Sequence, residues 1–155
     1  MEASIMDWNK DKSLWLSKIC IKLFTITMIV VAVFAPKIFS ALIEVRIAYL
    51  GGTLPYFLIS TYTLCVPAVV ALYGLWQLLD NIDKGEVFIN KNVDILRMLS
   101  WRCIFAGGIC FASAVYYLPF MIIAAAAGFV GLLLRIVKNV FARAVEIKQD
   151  NDYTI

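Results

Sequence analysis

Apolar residues in this chain come in long blocks rather than alternating with polar ones. No Asp, Glu, Lys or Arg occurs between Arg46 and Asp80, and none between Arg102 and Arg135. Each block exceeds the roughly 20 apolar residues that carry a helix across a bilayer. A third block lies between Lys22 and Lys37, and its 14 residues are too few to cross. The first span is therefore placed at about 19–35, with Lys22 carrying its amine to the headgroups on an apolar stem. Pro36 is expected to kink or end that helix. Val33 and Ala35 form a small-residue pair of the kind that precedes a leader cleavage site, but the run is long for a leader and an uncleaved span is the preferred reading.

From Lys37 to Pro55 the pattern is mixed. Glu44 and Arg46 interrupt it, then Gly51-Gly52 and Pro55 break it, which reads as an outer loop with a short amphipathic helix at the interface. A second span is predicted over 56–79, kinked at Pro67, with hydroxyls such as Thr63 or a neighbouring helix satisfying the freed carbonyl and Trp76 in an interfacial belt. The uncharged run from Cys103 to Leu134 holds 32 residues, about 48 Å as one helix against a core of about 30 Å. It is read as a hairpin that turns at Tyr116-Tyr117-Leu118-Pro119, giving spans over 98–117 and 119–137, with both tyrosines at the far interface and Pro119 opening the returning helix. Beyond it, Ile136, Val140, Ala144 and Ile147 fall on one stripe, so the fourth span is expected to continue as an amphipathic helix.

Charge adds orientation. Lys10, Lys12, Lys18 and Lys22, the four cations of the central loop (Lys84, Lys91, Arg97, Arg102) and the four of the tail (Arg135, Lys138, Arg143, Lys148) stand against Lys37 and Arg46 alone. The positive-inside rule places both termini and the central loop in the cytoplasm of a bacterial inner-membrane protein. Trp8 and Trp15 with their lysines are expected to lie along the inner membrane surface. With 63% hydrophobic and 16% charged residues among 155, a soluble fold is excluded by the amount of apolar surface to be hidden. The fold class is an all-α membrane protein of four transmembrane helices.

The central stretch LLDNIDKGEVFINKNVDILR, residues 78–97, is the most polar passage in the middle of the chain. Helix two must stop near Asp80-Asn81, Gly85 supplies a turn residue, Phe88 can fold back onto the membrane face, and Asn90 can cap the next helix. Asn81, Gly85, Phe88, Asn92, Leu96 and Arg97 together resemble the N…KGxxF…N…LR connection of a family of small bacterial four-helix membrane proteins known as a domain of unknown function. The ending KQDNDYTI, with Asn151, Asp152, Thr154 and Ile155, resembles that family's ENDxTV/I close. Ile89 stands where a Ser or Thr cap is expected, and Gln149-Asp150 replaces a more acidic approach to the ending. The resemblance implies a membrane component encoded beside a small Xre-type helix-turn-helix regulator, linked to it by contact or by shared expression, and implies no activity.

Candidate chemistry is sparse. Histidine is absent, Ser40, Ser60, Ser100 and Ser113 have no base partner, and neither GxSxG nor GxxxxGK[ST] occurs, so no enzyme and no cofactor is expected. Cys20, Cys65, Cys103 and Cys110 have no metal or disulfide spacing. There is no basic face interleaved with aromatics for nucleic acid. No carboxylate sits at mid-membrane, which argues against proton-coupled export; Glu44 and Arg46 are read as solvated interfacial charges. Gly108 with Ala112, Ala124 with Gly128, and Ala127 with Gly131 are small-xxx-small pairs, expected to pack the third span on the fourth or to meet a partner or a second copy. The expected role is contact with the bilayer and with a protein or peptide, in regulation or in immunity to membrane-active peptides; the alternative is a small multispan transporter or lipid-binding carrier.

Overall fold

The computed structural model describes the backbone of residues 2–152 and the side chains of residues 12–151. The expectations for Trp8, Lys10, Asp152, Thr154 and Ile155 lie outside the described side chains. The elements are α1 (Glu2–Val45), a one-turn α2 (Ile47–Leu50), α3 (Leu54–Asp83), α4 (Asn90–Ser113) and α5 (Phe120–Asp152). Four of them, α1, α3, α4 and α5, are long and apolar enough to cross a membrane, and the protein is a multi-pass membrane protein. Large apolar side chains such as Leu23, Phe24 and Ile26 stand exposed on α1, a position that costs nothing where the surrounding solvent is lipid.

The four long helices form a row. α1 packs on α3, α3 on α4 and α4 on α5, while no sizeable contact joins α1 to α5 among the described residues. α4 sits between two neighbours and carries more buried positions than any other helix, including Val93, Ile95, Leu96, Leu99 and Cys110.

One end of the row is aromatic. Phe57 of α3 is almost fully buried and receives Phe39 of α1 at 4.9 Å between ring centres, Tyr116 at 5.0 Å, Tyr117 at 5.3 Å and Phe120 at 6.0 Å. Each such pair adds about 0.5–1.5 kcal/mol beyond its area, so this cluster ties α1, α3 and the α4–α5 turn together where the helix faces alone do not. The other end is basic. An ion pair joins Lys18 of α1 to Asp83 of α3, the Lys22 amine lies 5.9 Å from the centre of the Trp76 ring, and Phe88 of the 84–89 loop meets Phe141 of α5 at 5.7 Å. Lys22, Trp76 and Phe88 thus lie toward the same end, with the N-terminal part of α1 and the C-terminal part of α5.

Two sequence expectations change here. α1 does not end near Pro36: it runs on to Val45, and the outer connection shrinks from 37–55 to a few residues around α2, with Gly52 at φ 81°. Proline removes the bond to the carbonyl four residues back, Ala32, and the Tyr62 hydroxyl of α3 donates to that oxygen at 3.3 Å. Ala35 is fully buried and Ile43 nearly so, so α1 stays packed on α3 past the break. At Pro67 the expected helper does not act, because the Thr63 hydroxyl donates instead to Ile59 carbonyl at 2.7 Å. As expected, α5 continues as an amphipathic helix: Ile136, Val140 and Ile147 are exposed, Ala144 is half-buried, and the opposite side carries Leu134, Phe141 and the buried Val145, with Phe88 against Phe141.

Candidate functional site

The loop between α3 and α4 is built by the positions singled out for their motif. Gly85 takes φ 80°, its N–H donates to Ile82 carbonyl at 3.0 Å, and the Glu86 N–H donates to Asn81 carbonyl at 2.9 Å. This is the Schellman pattern of a helix C-terminus, which needs a left-handed residue at the position Gly85 holds. The Asn81 side-chain amide donates to Asn92 Oδ1 at 2.7 Å, and the Asn92 amide donates to the carbonyls of Glu86 and Val87, each at 2.8 Å. Asn92 is fully buried, so all its hydrogen bonds must be made within the protein, and these three make them. Asn90 does not cap α4: Ile89 occupies the cap position and makes no side-chain bond, while the Asn92 amide ties the preceding loop to the first turn of the helix. Lys84 donates to Asp80 at 2.6 Å, and that hydrogen bond raises the Lys84 amine above its ordinary range. Leu96 is buried. Arg97 is the exception, solvent-facing and paired only with Asp94 at 3.3 Å, and Asn151 is exposed at the end of α5.

The small residues divide. A side chain added at Gly107 would put its first carbon 3.2 Å from Ala124 carbonyl and 3.4 Å from Gly128 nitrogen, and one at Gly131 would come within 3.2 Å of Ser100 carbonyl. These backbones therefore touch, which only residues without a side chain permit. Ala124 is buried, and Ala127 lies 3.6 Å from the Gly107 position. Gly108 itself faces open space; its neighbour Gly107, 100° round the helix, is the one in the seam. Ala112, one turn beyond Gly108, turns instead toward α3.

There, α3 and α4 part to leave a groove of about 570 Å³, with Tyr56, Ile59, Ile109, Ala112 and Val115 in its walls. Its floor is a chain of hydroxyls. Tyr116 donates to Ser60 at 2.8 Å, Ser60 and Ser113 are 2.7 Å apart, and Ser113 donates to Ile109 carbonyl at 2.9 Å. The Tyr116 hydroxyl also has Tyr56 carbonyl at 3.3 Å, so the chain ends on a backbone carbonyl at both sides, Ile109 and Tyr56, whichever way its protons point. Every proton is used, which a low-dielectric setting requires. The groove thus offers an apolar wall with oxygen lone pairs and no charged side chain. Tyr116, expected at the far interface, is turned inward to complete it. The sequence reading treated Ser60 and Ser113 only as nucleophiles; the signal available was that a hydroxyl deep in an uncharged run must find a partner. Glu44 and Arg46 are exposed, and no cluster of three metal-ligating side chains occurs among the described residues.

Residues 10–155 match the family described as "Protein of unknown function (DUF2975)". The chain belongs to this family. No curated protein and no solved structure matches it. In this DUF2975 chain the loop positions Asn81, Gly85 and Asn92 have a folding role, and the uncharged groove between α3 and α4 lies apart from them.

Proposed function

We propose that this DUF2975 protein is a non-enzymatic component of the bacterial cytoplasmic membrane, with both termini and the 84–89 loop in the cytoplasm, that receives a hydrophobic peptide or a helix of another membrane protein in the groove between α3 and α4. The lysine and arginine asymmetry supports the orientation. The single observation that carries the mode of action is the groove: it opens sideways to lipid, bears no charge, and its hydroxyl protons are already committed. An apolar helix matches such a wall, and Gly108, open on the α4 surface one turn from Ala112, allows close backbone approach. In a sensing role, occupancy would pull on α3 and α4, pass through the Asn81–Asn92 lacing to the loop and α5, and reach a small helix-turn-helix regulator. In an immunity role, the groove would hold a membrane-active peptide away from the bilayer.

A second reading, a small transporter or lipid-binding carrier, draws on the same lateral opening, which admits an acyl chain. The test is a photoreactive amino acid at Ile59 in the native host, with Ile122, exposed on α5, as control. A discrete peptide or protein adduct from Ile59 and not from Ile122 is the expected result; an adduct of twice the mass would identify a second copy as the occupant. Lipid adducts alone, with saturable flux in proteoliposomes, would replace this reading by the carrier.

A further inference from the structure

α4 and α5 are pinned together at one place near the basic end: Ser100 Oγ donates to Gly131 carbonyl at 2.7 Å, and the missing side chain of Gly131 lets that approach occur. The turns just beyond the pin diverge into a cleft of about 230 Å³ lined by Arg97, Ser100, Trp101, Arg135 and Lys138. Three of these five are cations, drawn from two helices, and no carboxylate lines the cleft. The Arg135 guanidinium lies 5.1 Å from the centre of the Trp101 ring, an arrangement that holds its plane while leaving its N–H edges free. Arg97 has Asp94 at 3.3 Å, with both side chains more than half exposed, a pairing that is screened and weak. Among the described residues no ion pair joins Arg135 or Lys138 to a carboxylate. Like charges gathered in one cleft oppose each other until an anion joins them.

Depth identifies the anion. The uncharged part of α5, Phe120 to Leu134, is 15 residues, about 22 Å against a hydrocarbon core of about 30 Å. The crossing therefore takes in Arg135 near its end, and its long side chain carries the guanidinium to the headgroup level, where Trp101 beside it suits the interface. We propose that this cleft binds a phosphate group, carried by the headgroup of an anionic lipid, with Arg135 and Arg97 as the forked donors and Lys138 as a point charge. Arg97 then acquires a use that the loop does not give it.

The experiment is native mass spectrometry of the full-length protein released from nanodiscs containing equal phosphatidylglycerol and phosphatidylcholine, with soluble glycerophosphate as a competing arm. The expected result is selective retention of phosphatidylglycerol, lowered about fivefold for each cation removed in R97Q, R135Q and K138Q, with R135K retaining part of it. G131A, which spreads the helices and removes no charge, is expected to weaken retention too, and R143Q, outside the cleft, to leave it unchanged. Retention of phosphatidylglycerol undiminished in an R135Q/K138Q variant of unchanged helicity overturns the proposal. Binding of glycerophosphate with the same dependence on the cations, without lipid retention, overturns the lipid source.

Discussion

The two sides of α4 are built on opposite plans. Toward α5 the backbones meet: Gly107 lies against Ala124 and Gly128, Gly131 against Ser100, and nothing wider than a hydrogen atom fits between. Toward α3 the helices are fastened near their two ends, by Asn81 to Asn92 at the basic end and by Ser60 to Ser113 at the aromatic end, with the groove opening beside the second fastening. Close backbone packing makes a seam with one available spacing. Between the two polar fastenings α3 packs on α4 through side chains, Gly74 against Met98, Leu99 and Ile95, rather than backbone to backbone.

The contrast can be broken first at its basic fastening. Asn92→Leu keeps the volume class but leaves the Asn81 amide and two loop carbonyls without partners, and is expected to lower stability by about 3 kcal/mol; an unchanged unfolding midpoint in a detergent titration would show that the loop closes without the lacing. The seam comes next. Gly107→Leu should cost about 2 kcal/mol by forcing α4 from α5, whereas Gly108→Leu, pointing into open space, should leave the same titration unmoved; equal effects from the two would erase the distinction between the faces. Gly85→Ala should cost about 1 kcal/mol, since an alanine must adopt the left-handed backbone there, and the loss should be visible as faster amide exchange confined to the loop. The smallest effect is expected from Tyr62→Phe, about 0.6 kcal/mol for one interhelical hydrogen bond in a membrane; its signature is increased exchange near Ala32 rather than a change in melting.

These features were unequally legible in the sequence. Charge-free runs, the Gly51-Gly52 break, the turn at Tyr116–Pro119 and the turn at Gly85 are local signals, and the helices follow them. The passage of α1 through Pro36 was not legible, because its cause is the Tyr62 hydroxyl on another helix. Gly108, with Ala112 four residues on, satisfies small-residue spacing and Gly107, with Phe111 there, does not, yet it is Gly107 that meets α5. For α5 itself, an outward stripe and an inward stripe of similar apolarity run along the same helix, and periodicity cannot say which one Phe88 will cover. The motif around Asn81 and Asn92 announced a turn; that its two asparagines bond each other across the turn required the fold.

Because, among the described residues, each long helix makes its main contacts with the long helices that precede and follow it in the chain, α1 on α3, α3 on α4, α4 on α5, no helix must wait for a main partner synthesised much later. A nascent chain can complete each pair as the next segment leaves the ribosome, with few distant segments to search for, the condition under which assembly is fast. The row is therefore also an order of assembly, and the aromatic cluster around Phe57 closes only when the last helix has begun.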